Sequence, residues 1–299
     1  MSASTDLLTV FEAQRPRLMG LGYRMLGTVT DAEDIVQEAW LRWQRGDRSE
    51  VDNPEAYLTT VTTRLALDRL RRVKAQREVY PGSWLPEPVA LDDPAAAVER
   101  NESLSLAVLV LLETLSPLER AAFVLHEVFE QPYAEVAATL DRAEAAVRQL
   151  VSRALRHIEA GRPRYPADPA QRNEVVQQFL VAVTSADPGP LLAMLAPDVV
   201  VVSDGGGVAP APLRVVSGRD KVARLLFGLA AKVTPDTTFG FEVFNAELGV
   251  VARLGGKAIS ALALAVSGDG ISAIYLVANP HKLGALEPDH RVRRPDGAA

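Results

Sequence analysis

The sequence predicts a multidomain protein in which two all-α modules, the second with a helix-turn-helix, precede an α+β domain. Apolar residues recur at helical spacing as far as Ile158, and from Phe239 onward strand-like runs alternate with glycine-containing turns. Proline-containing stretches at 81–100 and 162–170 separate these segments. A chain of 299 residues is also long enough for two or three hydrophobic cores.

Composition excludes several classes of protein. Hydrophobic residues make up 48% and charged residues 23% of the chain, as in globular rather than disordered proteins. No apolar run approaches the roughly 18 residues that cross a bilayer, so no membrane partner is expected, and the N-terminal residues predict no signal peptide. The chain has no cysteine, which excludes disulfides, thiol chemistry and cysteine-ligated metals and is compatible with a cytoplasmic location.

Basic residues are concentrated in two short segments of an otherwise acidic chain. The net charge is −6, yet six basic residues lie between Arg64 and Arg77, and six arginines lie between Arg142 and Arg164. A distribution of this kind favours a protein that contacts phosphate at two separate places.

The first predicted module, residues 1–80, is a compact helical bundle. Gly27 is expected to end its first helix, and a polar break with Gly46 and Pro54 precedes its third. The predicted helices are Val10–Leu26, Asp31–Trp43 and Glu55–Lys74.

The second of these helices has two contrasting faces. Trp40 and Trp43 lie on an apolar stripe and are expected in the core, whereas acidic and amide side chains lie opposite them. Thr30 and Glu33 predict a capping box at the start of the helix. The string DAEDIVQEAWLRW resembles the helix with which sigma factors of the extracytoplasmic-function type bind core RNA polymerase. The resemblance implies polymerase contacts by Asp31, Asp34, Gln37 and Glu38.

The third helix carries the first basic segment. The string NPEAYLTTVTTRLALDRLRR, residues 53–72, resembles the part of these sigma factors that recognises and melts the downstream promoter element. Melting requires cations that hold phosphates and a pocket for an unstacked base. The resemblance implies DNA contacts by Arg64, Arg69, Arg71 and Arg72, although the family commonly has Asn at the position of Arg64. A basic face that is merely solvated is the alternative.

Residues 81–100 form a proline-rich linker. Its prolines predict an extended, semi-rigid connector, but Trp84 and Leu85 are large apolar residues that a linker seldom exposes without a docking partner. The string WLPEP, which includes Pro86, resembles a signature of the SigJ-like subgroup of these sigma factors, whose members carry an extra C-terminal domain.

The second module, residues 101–161, contains the predicted helix-turn-helix. An apolar helix from Leu104 to Leu115 precedes Ser116, which with Pro117 and Glu119 predicts a capped helix start. Two further helices, Tyr133–Leu140 and Glu144–Ile158, flank a three-residue turn. Any αα-hairpin can imitate this spacing. The full string resembles the sigma domain that recognises the upstream promoter element, which implies DNA contacts by Arg142, Arg148, Gln149, Ser152 and Arg153.

The third domain, residues 171–290, follows a short linker at 162–170. Helices come first, then a strand at Asp198–Ser203, a helix at Arg219–Lys232 and four strand-like runs from Phe239. Helices followed by an antiparallel meander predict an α+β layer. The order resembles the SnoaL-like cone, a fold shared by enzymes and by binding domains. The tail, residues 291–299, is polar.

Two strings in this domain resemble further signatures of the SigJ-like subgroup, in which the domain is thought to act on the sigma modules. The subgroup's loop ends in lysine where this chain has Val208, and its second string has aspartate where this chain has His281. The resemblance implies an intramolecular regulatory contact by residues of the linker and both strings: Trp84, Leu85, Pro86, Asp204, Gly205, Gly206, Gly207, Asn279, Pro280, His281, Lys282 and Leu283.

The sequence as a whole is identified as a member of the extracytoplasmic-function sigma factors, with core RNA polymerase and promoter DNA as expected partners. No cofactor, metal site or catalytic residue is expected. One alternative is a helix-turn-helix regulator that acts without polymerase. Another is an enzyme or sensor whose third domain binds a small-molecule ligand, with Asp204, His281, Arg214 and Tyr275 as the candidate polar groups.

Overall fold

The computed structural model describes residues 3–46, 51–90, 105–161, 168–185 and 187–287. Contacts divide the chain into two compact units. The first unit comprises the chain up to Val79 together with residues 111–161. The second comprises residues 80–110 together with the chain after Gly161, so the linker segment that ends at Ala90 belongs to the same unit as the C-terminal domain.

Helices form the first unit. The apolar helix of the second module, α4, spans the boundary between the units, because that boundary falls between Val110 and Leu111. In chain order the helices are α1 (Ala3–Leu26), α2 (Val29–Arg45), α3 (Pro54–Arg77), α4 (Leu106–Glu113), α5 (Pro117–Phe123), α6 (Tyr133–Leu140) and α7 (Glu144–Gly161).

The helix that carries the acidic face begins earlier than predicted. Gly27 has a positive φ of 78° and ends α1, as expected, with its N–H donating to the Tyr23 carbonyl at 2.7 Å. Thr28, rather than Thr30, then caps α2 by accepting from the Asp31 N–H. The predicted capping box is therefore wrong by two residues, because the glycine leaves the very next residue in the extended conformation that a cap requires.

The helix-turn-helix has the predicted bounds, except that α7 continues past Ile158 to Gly161. Asp141 adopts the left-handed conformation with φ of 53°, and the Arg142 N–H donates to the Ala137 carbonyl at 3.0 Å, which closes the turn. Apolar residues of both helices form the buried core of this motif: Val136, Ala137, Leu140, Val147 and Leu150.

A π-helical segment, Val124–Val128, continues the chain directly after α5. The preceding α5 begins as expected, with Ser116 and Glu119 forming a reciprocal capping box. Glu130 then has a positive φ of 54°, and the chain turns into α6.

A six-stranded sheet organises the second unit. The strand order is β2-β1-β6-β5-β4-β3, with β1 and β6 parallel and the other pairs antiparallel. The predicted meander is confirmed, whereas the short β2 and the parallel pairing were not predicted. The elements are α8 (Pro169–Thr184), α9 (Pro188–Met194), β1 (Leu195–Asp204), β2 (Val216–Ser217), α10 (Arg219–Ala230), β3 (Thr237–Phe244), β4 (Glu247–Leu254), β5 (Lys257–Ser267) and β6 (Gly270–Val277).

Both faces of this sheet are covered within the second unit. Ile274 of β6 joins the apolar core beneath α8, α9 and α10, whereas its neighbours Ala273 and Tyr275 join a second core on the other face. Leu85 of the linker and Leu106 of α4 belong to that second core. In the part of the chain that the structure describes, no helix is long and apolar enough to span a membrane.

We expect Gly249→Ala to destabilise the second unit. A Cβ at Gly249 would lie 2.4 Å from the buried Phe244 ring and 2.7 Å from the Leu262 carbonyl, so the free energy of unfolding should fall by about 1–3 kcal/mol. Gly228→Ala is the matched control, since a Cβ there meets nothing within 4 Å and lies inside α10. That change should raise the free energy of unfolding by up to about 1 kcal/mol. Urea denaturation followed by circular dichroism measures both, and equal effects would contradict the packing argument.

Candidate nucleic-acid and polymerase interfaces

The acidic face of α2 contains one residue that is held in place and three that lie on the surface. Asp31 accepts a hydrogen bond from the Thr28 hydroxyl at 2.7 Å and another from Arg69 Nε at 2.8 Å. Its side chain is only 16% exposed, so Asp31 joins α2 to α3. Asp34, Gln37 and Glu38 occupy the outer face of the helix.

The tryptophans opposite this face have unequal burial. Trp43 is 3% exposed and its indole N–H donates to the Leu7 carbonyl at 3.3 Å. Trp40 is partly buried and packs against the Phe11 ring at a centroid distance of 4.9 Å. Both therefore anchor α2 on α1, which leaves the polar face turned outward.

The basic residues of α3 fall into two groups. Arg71 and Arg72 are exposed, and Arg71 pairs with Asp68 at 2.9 Å on the surface. Arg69 is committed to Asp31 and lies 3.9 Å from Asp34. Exposed arginines next to a fixed one give α3 a basic surface that can hold phosphates.

Arg64 contacts the helix-turn-helix. Its Nε donates to the Thr139 carbonyl of α6 at 3.2 Å, and the hydroxyls of Thr60 and Thr139 are also 3.2 Å apart. Thr139 lies in the last turn of α6, where carbonyls lack partners within the helix and the helix dipole favours a cation. Arg64 therefore caps the end of α6 while the rest of its side chain remains exposed.

A buried charge cluster at the end of α3 was not predicted. Glu113 accepts from both Arg77 and Arg120, and Arg120, with no exposed surface, donates Nε to the Arg24 carbonyl at 2.8 Å. Burial lowers the pKa of Arg77 and of Lys74, and the Glu113 carboxylate opposes that shift in both. The sequence offered one signal, since Arg120 directly precedes the apolar run at residues 121–125.

The second helix of the helix-turn-helix, α7, presents most of its predicted DNA contacts to solvent. Arg142, Arg148, Gln149 and Ser152 are exposed. Arg153 instead pairs with Glu119 of α5 at 2.8 Å.

The carboxyl group of Glu119 fixes Arg153 and caps α5. Burial alone would raise the pKa of Glu119, but hydrogen bonds from Ser116 and Arg153 lower it to about 2. Glu119 therefore keeps its negative charge at neutral pH. This charge holds the guanidinium of Arg153, whose side chain remains 45% exposed.

Buried Asp204 connects the linker to the C-terminal domain inside the second unit. Its carboxylate accepts from the Tyr80 hydroxyl at 2.6 Å, the Leu85 N–H at 2.9 Å, the Gly206 N–H at 3.0 Å and Lys282 Nζ at 2.7 Å. We call these five residues the Asp204 cluster. Four donors surround one carboxylate, which is the arrangement that a buried charge requires.

Lys282 also contacts the linker directly. Its Nζ also donates to the Leu85 carbonyl at 2.6 Å and lies 3.9 Å from the centroid of the Trp84 ring. Asn279 supports the arrangement, because its amide donates to the Tyr80 hydroxyl at 2.8 Å and accepts from the His281 N–H. Four of the remaining predicted contact residues lie in or beside these contacts: Pro86 and Leu283 are buried, Pro280 begins the 3-10 turn Pro280–Lys282, and His281 is exposed.

The three glycines after Asp204 are required by close approach of the chain. A Cβ would lie 2.5 Å from the Ala209 carbonyl at Gly205, 2.5 Å from the Asn279 side chain at Gly206 and 2.7 Å from Pro81 at Gly207. Val208, where the SigJ-like pattern has lysine, is 66% exposed. Both departures from that pattern, Val208 and His281, thus lie outside the Asp204 cluster.

Comparison with known proteins identifies both helical modules. The sigma-70 region 2 family model matches residues 10–76, and the sigma-70 region 4 model matches residues 105–158. The extracytoplasmic-function sigma factor SigJ of Mycobacterium tuberculosis is 43% identical over 302 residues, which cover 96% of each chain. This chain belongs to the extracytoplasmic-function sigma factors.

Similarity extends through the C-terminal domain. Probable sigma factor SigI of the same species is 32% identical over 294 residues, covering 97% of this chain and 99% of its own. The crystal structure of M. tuberculosis SigJ aligns with 94% of this chain and 99% of its own, with a TM-score of 0.76 and 41% identity. The helical sigma regions followed by an α+β domain are therefore a shared architecture, and the predicted family and the order of all-α modules and α+β domain are confirmed.

We expect Lys282→Met to destabilise the second unit strongly. The change keeps the length of the side chain but leaves the buried Asp204 carboxylate without its cation, at a cost of about 3–5 kcal/mol. Arg71→Met is the control, because the Arg71–Asp68 pair is exposed on both sides and such pairs contribute at most about 1 kcal/mol. Denaturant unfolding compares the two variants, and a loss for Lys282→Met as small as for Arg71→Met would show that the ion pair contributes little.

Proposed function

We propose that the exposed face of α2 formed by Asp34, Gln37 and Glu38 binds core RNA polymerase. The chain is a sigma factor by family, and α2 lies inside the matched region 2. The contacts of Trp40 and Trp43 with the bundle support this assignment, because they orient the acidic face outward. Asp31 contributes by holding α3 through Arg69 rather than by offering a free carboxylate.

The two basic helices bind promoter DNA in this proposal. The exposed Arg71 and Arg72 of α3 hold phosphates of the downstream element while it opens. Arg148 and Gln149 of α7 enter a major groove at the upstream element, where arginine and glutamine side chains can each make paired hydrogen bonds to base edges. Ser152 and Arg142 contact the DNA phosphate backbone in this proposal.

The C-terminal domain controls activity through the linker. Leu85 is fully buried in a core that contains strand residues of this domain, and both its N–H and its carbonyl are bonded by side chains of the same domain. The conformation of the linker at Leu85, in the described part that ends at Ala90, is therefore set by the Asp204 cluster. This observation carries the proposal of a regulatory role.

We assign no catalytic role to the C-terminal domain. Asp204 is saturated by four hydrogen bonds, His281 is exposed, and Tyr275 is buried with its pKa raised to about 12, chiefly by burial. Apolar side chains fill the space between the sheet and α8 to α10. An acid and a base facing one pocket are what catalysis in such a domain needs, and these residues do not supply them.

Transcription in vitro with core polymerase tests the regulatory role. Full-length protein is compared with a version that ends at Pro169 and with Lys282→Met, on templates that carry the protein's own upstream region. We expect specific transcripts whose yield changes severalfold in both variants, because each releases Leu85. Unchanged yield from both variants would remove the regulatory role. No transcript from any form, with clean DNA binding in the absence of polymerase, would favour the regulator that acts without polymerase.

We expect Asp34→Ala, Gln37→Ala and Glu38→Ala in one chain to weaken core polymerase binding by about tenfold or more, since a few central residues dominate most interfaces. Glu174→Ala, which removes an exposed acid of α8, is the control for loss of charge alone. Binding is measured by fluorescence anisotropy of labelled protein. Equal affinities for the triple variant and the control would contradict the assignment of this face.

A further inference from the structure

The ring of Tyr133 lies against the side chain of Arg148. Tyr133 is the first residue of α6, and Arg148 lies in the second turn of α7. The guanidinium carbon of Arg148 is 4.2 Å from the centroid of the tyrosine ring, which is within the range of a favourable cation–π contact. Glu144, one turn earlier on α7, pairs with the same guanidinium.

His126 supports the tyrosine ring. The two ring centroids are 3.8 Å apart and the planes are inclined by 29°, so the imidazole and the phenol are stacked. His126 Nδ1 lies 2.8 Å from the Gln131 carbonyl, which can only accept a hydrogen bond, and Nδ1 must therefore carry a proton. The imidazole is thus fixed by the backbone as well as by the tyrosine.

The π-helical segment brings this histidine into position. His126 is the middle residue of Val124–Val128, and Glu130 then takes a positive φ before the Gln131 N–H donates to the Leu125 carbonyl at 3.0 Å. Single π turns widen a helix locally and occur frequently at functional sites. Here the irregular turn places the imidazole beside the first residue of the helix-turn-helix.

Arg148 retains access to DNA while it is held in this way. Its side chain is 57% exposed, so the stacked guanidinium still presents hydrogen-bond donors to solvent. A free arginine side chain populates many rotamers, and it loses much of that freedom on binding a base. Contact with Tyr133 and Glu144 restricts the side chain before DNA arrives, and such preorganisation strengthens binding.

We propose that Tyr133, supported by His126, is a positioning residue that fixes the guanidinium plane of Arg148 for recognition of a guanine edge in the upstream promoter element. Guanine presents two acceptors in the major groove that match the paired donors of arginine. This inference rests on the proposed function of α7, and it adds two residues that do not themselves contact the base. Tyr133 acts on specificity, because a correctly held plane favours the paired contact with one base over single contacts with others.

DNA binding by full-length protein tests the proposal. Duplexes are selected from a randomised pool by the unmodified protein, and affinity is then measured for the selected duplex and for single-base-pair variants of it, at several salt concentrations. The variants are Tyr133→Phe, Tyr133→Leu, His126→Leu, Arg148→Ala and Tyr133→Leu with Arg148→Ala. Thermal unfolding by circular dichroism confirms that each is folded.

We expect Tyr133→Leu to reduce discrimination at one base pair by about three- to tenfold, in line with the strength of cation–π contacts. Arg148→Ala should abolish discrimination at the same base pair, and the double variant should lose no more than Arg148→Ala alone. Tyr133→Phe should retain discrimination because it keeps the ring, and His126→Leu should lose less than Tyr133→Leu. The dependence of affinity on salt should be unchanged by Tyr133→Leu, since no phosphate contact is removed.

Several outcomes would overturn the inference. Loss of affinity for all duplexes alike, with a weaker salt dependence, would assign Tyr133 to a phosphate contact. Equal losses for Tyr133→Phe and Tyr133→Leu would assign the effect to the hydroxyl.

Full discrimination by Tyr133→Leu, with discrimination lost in Arg148→Ala, would leave the proposed role of Arg148 intact and remove that of Tyr133. Full discrimination by Arg148→Ala would instead show that the proposed role of α7 at this residue is wrong. If Tyr133→Leu fails to fold, His126→Leu decides the question, and unchanged discrimination by that variant would remove the support that the inference requires.

Discussion

The second unit depends on how the charge of Asp204 is compensated. A carboxylate with no exposed surface is unfavourable unless donors surround it, and this one has a hydroxyl, two backbone N–H groups and an ammonium. Those donors come from parts of the chain that are far apart in sequence, Tyr80 and Leu85 before the sheet and Lys282 after it. Satisfying one charge therefore fixes the ends of β1 and β6 and the linker together.

The same constraint explains the composition of the linker. A proline-rich connector needs no tryptophan or leucine, yet Leu85 is fully buried and Trp84 lies against the Lys282 ammonium. Proline at position 86 leaves Leu85 in extended backbone, which frees its N–H and carbonyl for Asp204 and Lys282. The described part of the linker, up to Ala90, is thus an additional segment of the C-terminal domain.

Elements with strong local signals could be predicted from the sequence. The helix Tyr133–Leu140 and the capping box of Ser116 were predicted correctly. Both signals, the helical spacing of apolar residues and the cap residues, are contained in a short stretch of sequence. The α+β character of the third domain and the docking of Trp84 and Leu85 were also predicted. The parallel pairing of β1 with β6 was not, since one helix and four other strands separate these two strands along the chain.

Side-chain pairing between distant segments is where prediction from the sequence failed. Nothing local distinguishes Arg69, which is bound to Asp31, from Arg71 and Arg72, which are exposed, although all three belong to one basic run. The buried Arg120 could not be assigned a partner because Glu113 and the Arg24 carbonyl lie on other helices. Similarly, the spacing of apolar residues in the sequence does not reveal the π turn that contains His126. The sequence therefore indicates which segments carry the candidate site residues. It does not indicate which of their side chains are paired with distant residues and which are exposed.

The contact between Arg64 and Thr139 makes α3 and the helix-turn-helix energetically dependent on each other. Any duplex that draws the Arg64 guanidinium away also leaves the last turn of α6 without a cation, a change in α6 of roughly 0.3–1 kcal/mol. Thermodynamic linkage makes this effect mutual: a ligand that binds α3 and displaces Arg64, and a ligand that binds the last turn of α6, change each other's affinity by one common factor. The family's usual asparagine at this position is shorter, so the arginine gives this chain a charged contact between α3 and α6 in addition to the one between the Thr60 and Thr139 hydroxyls.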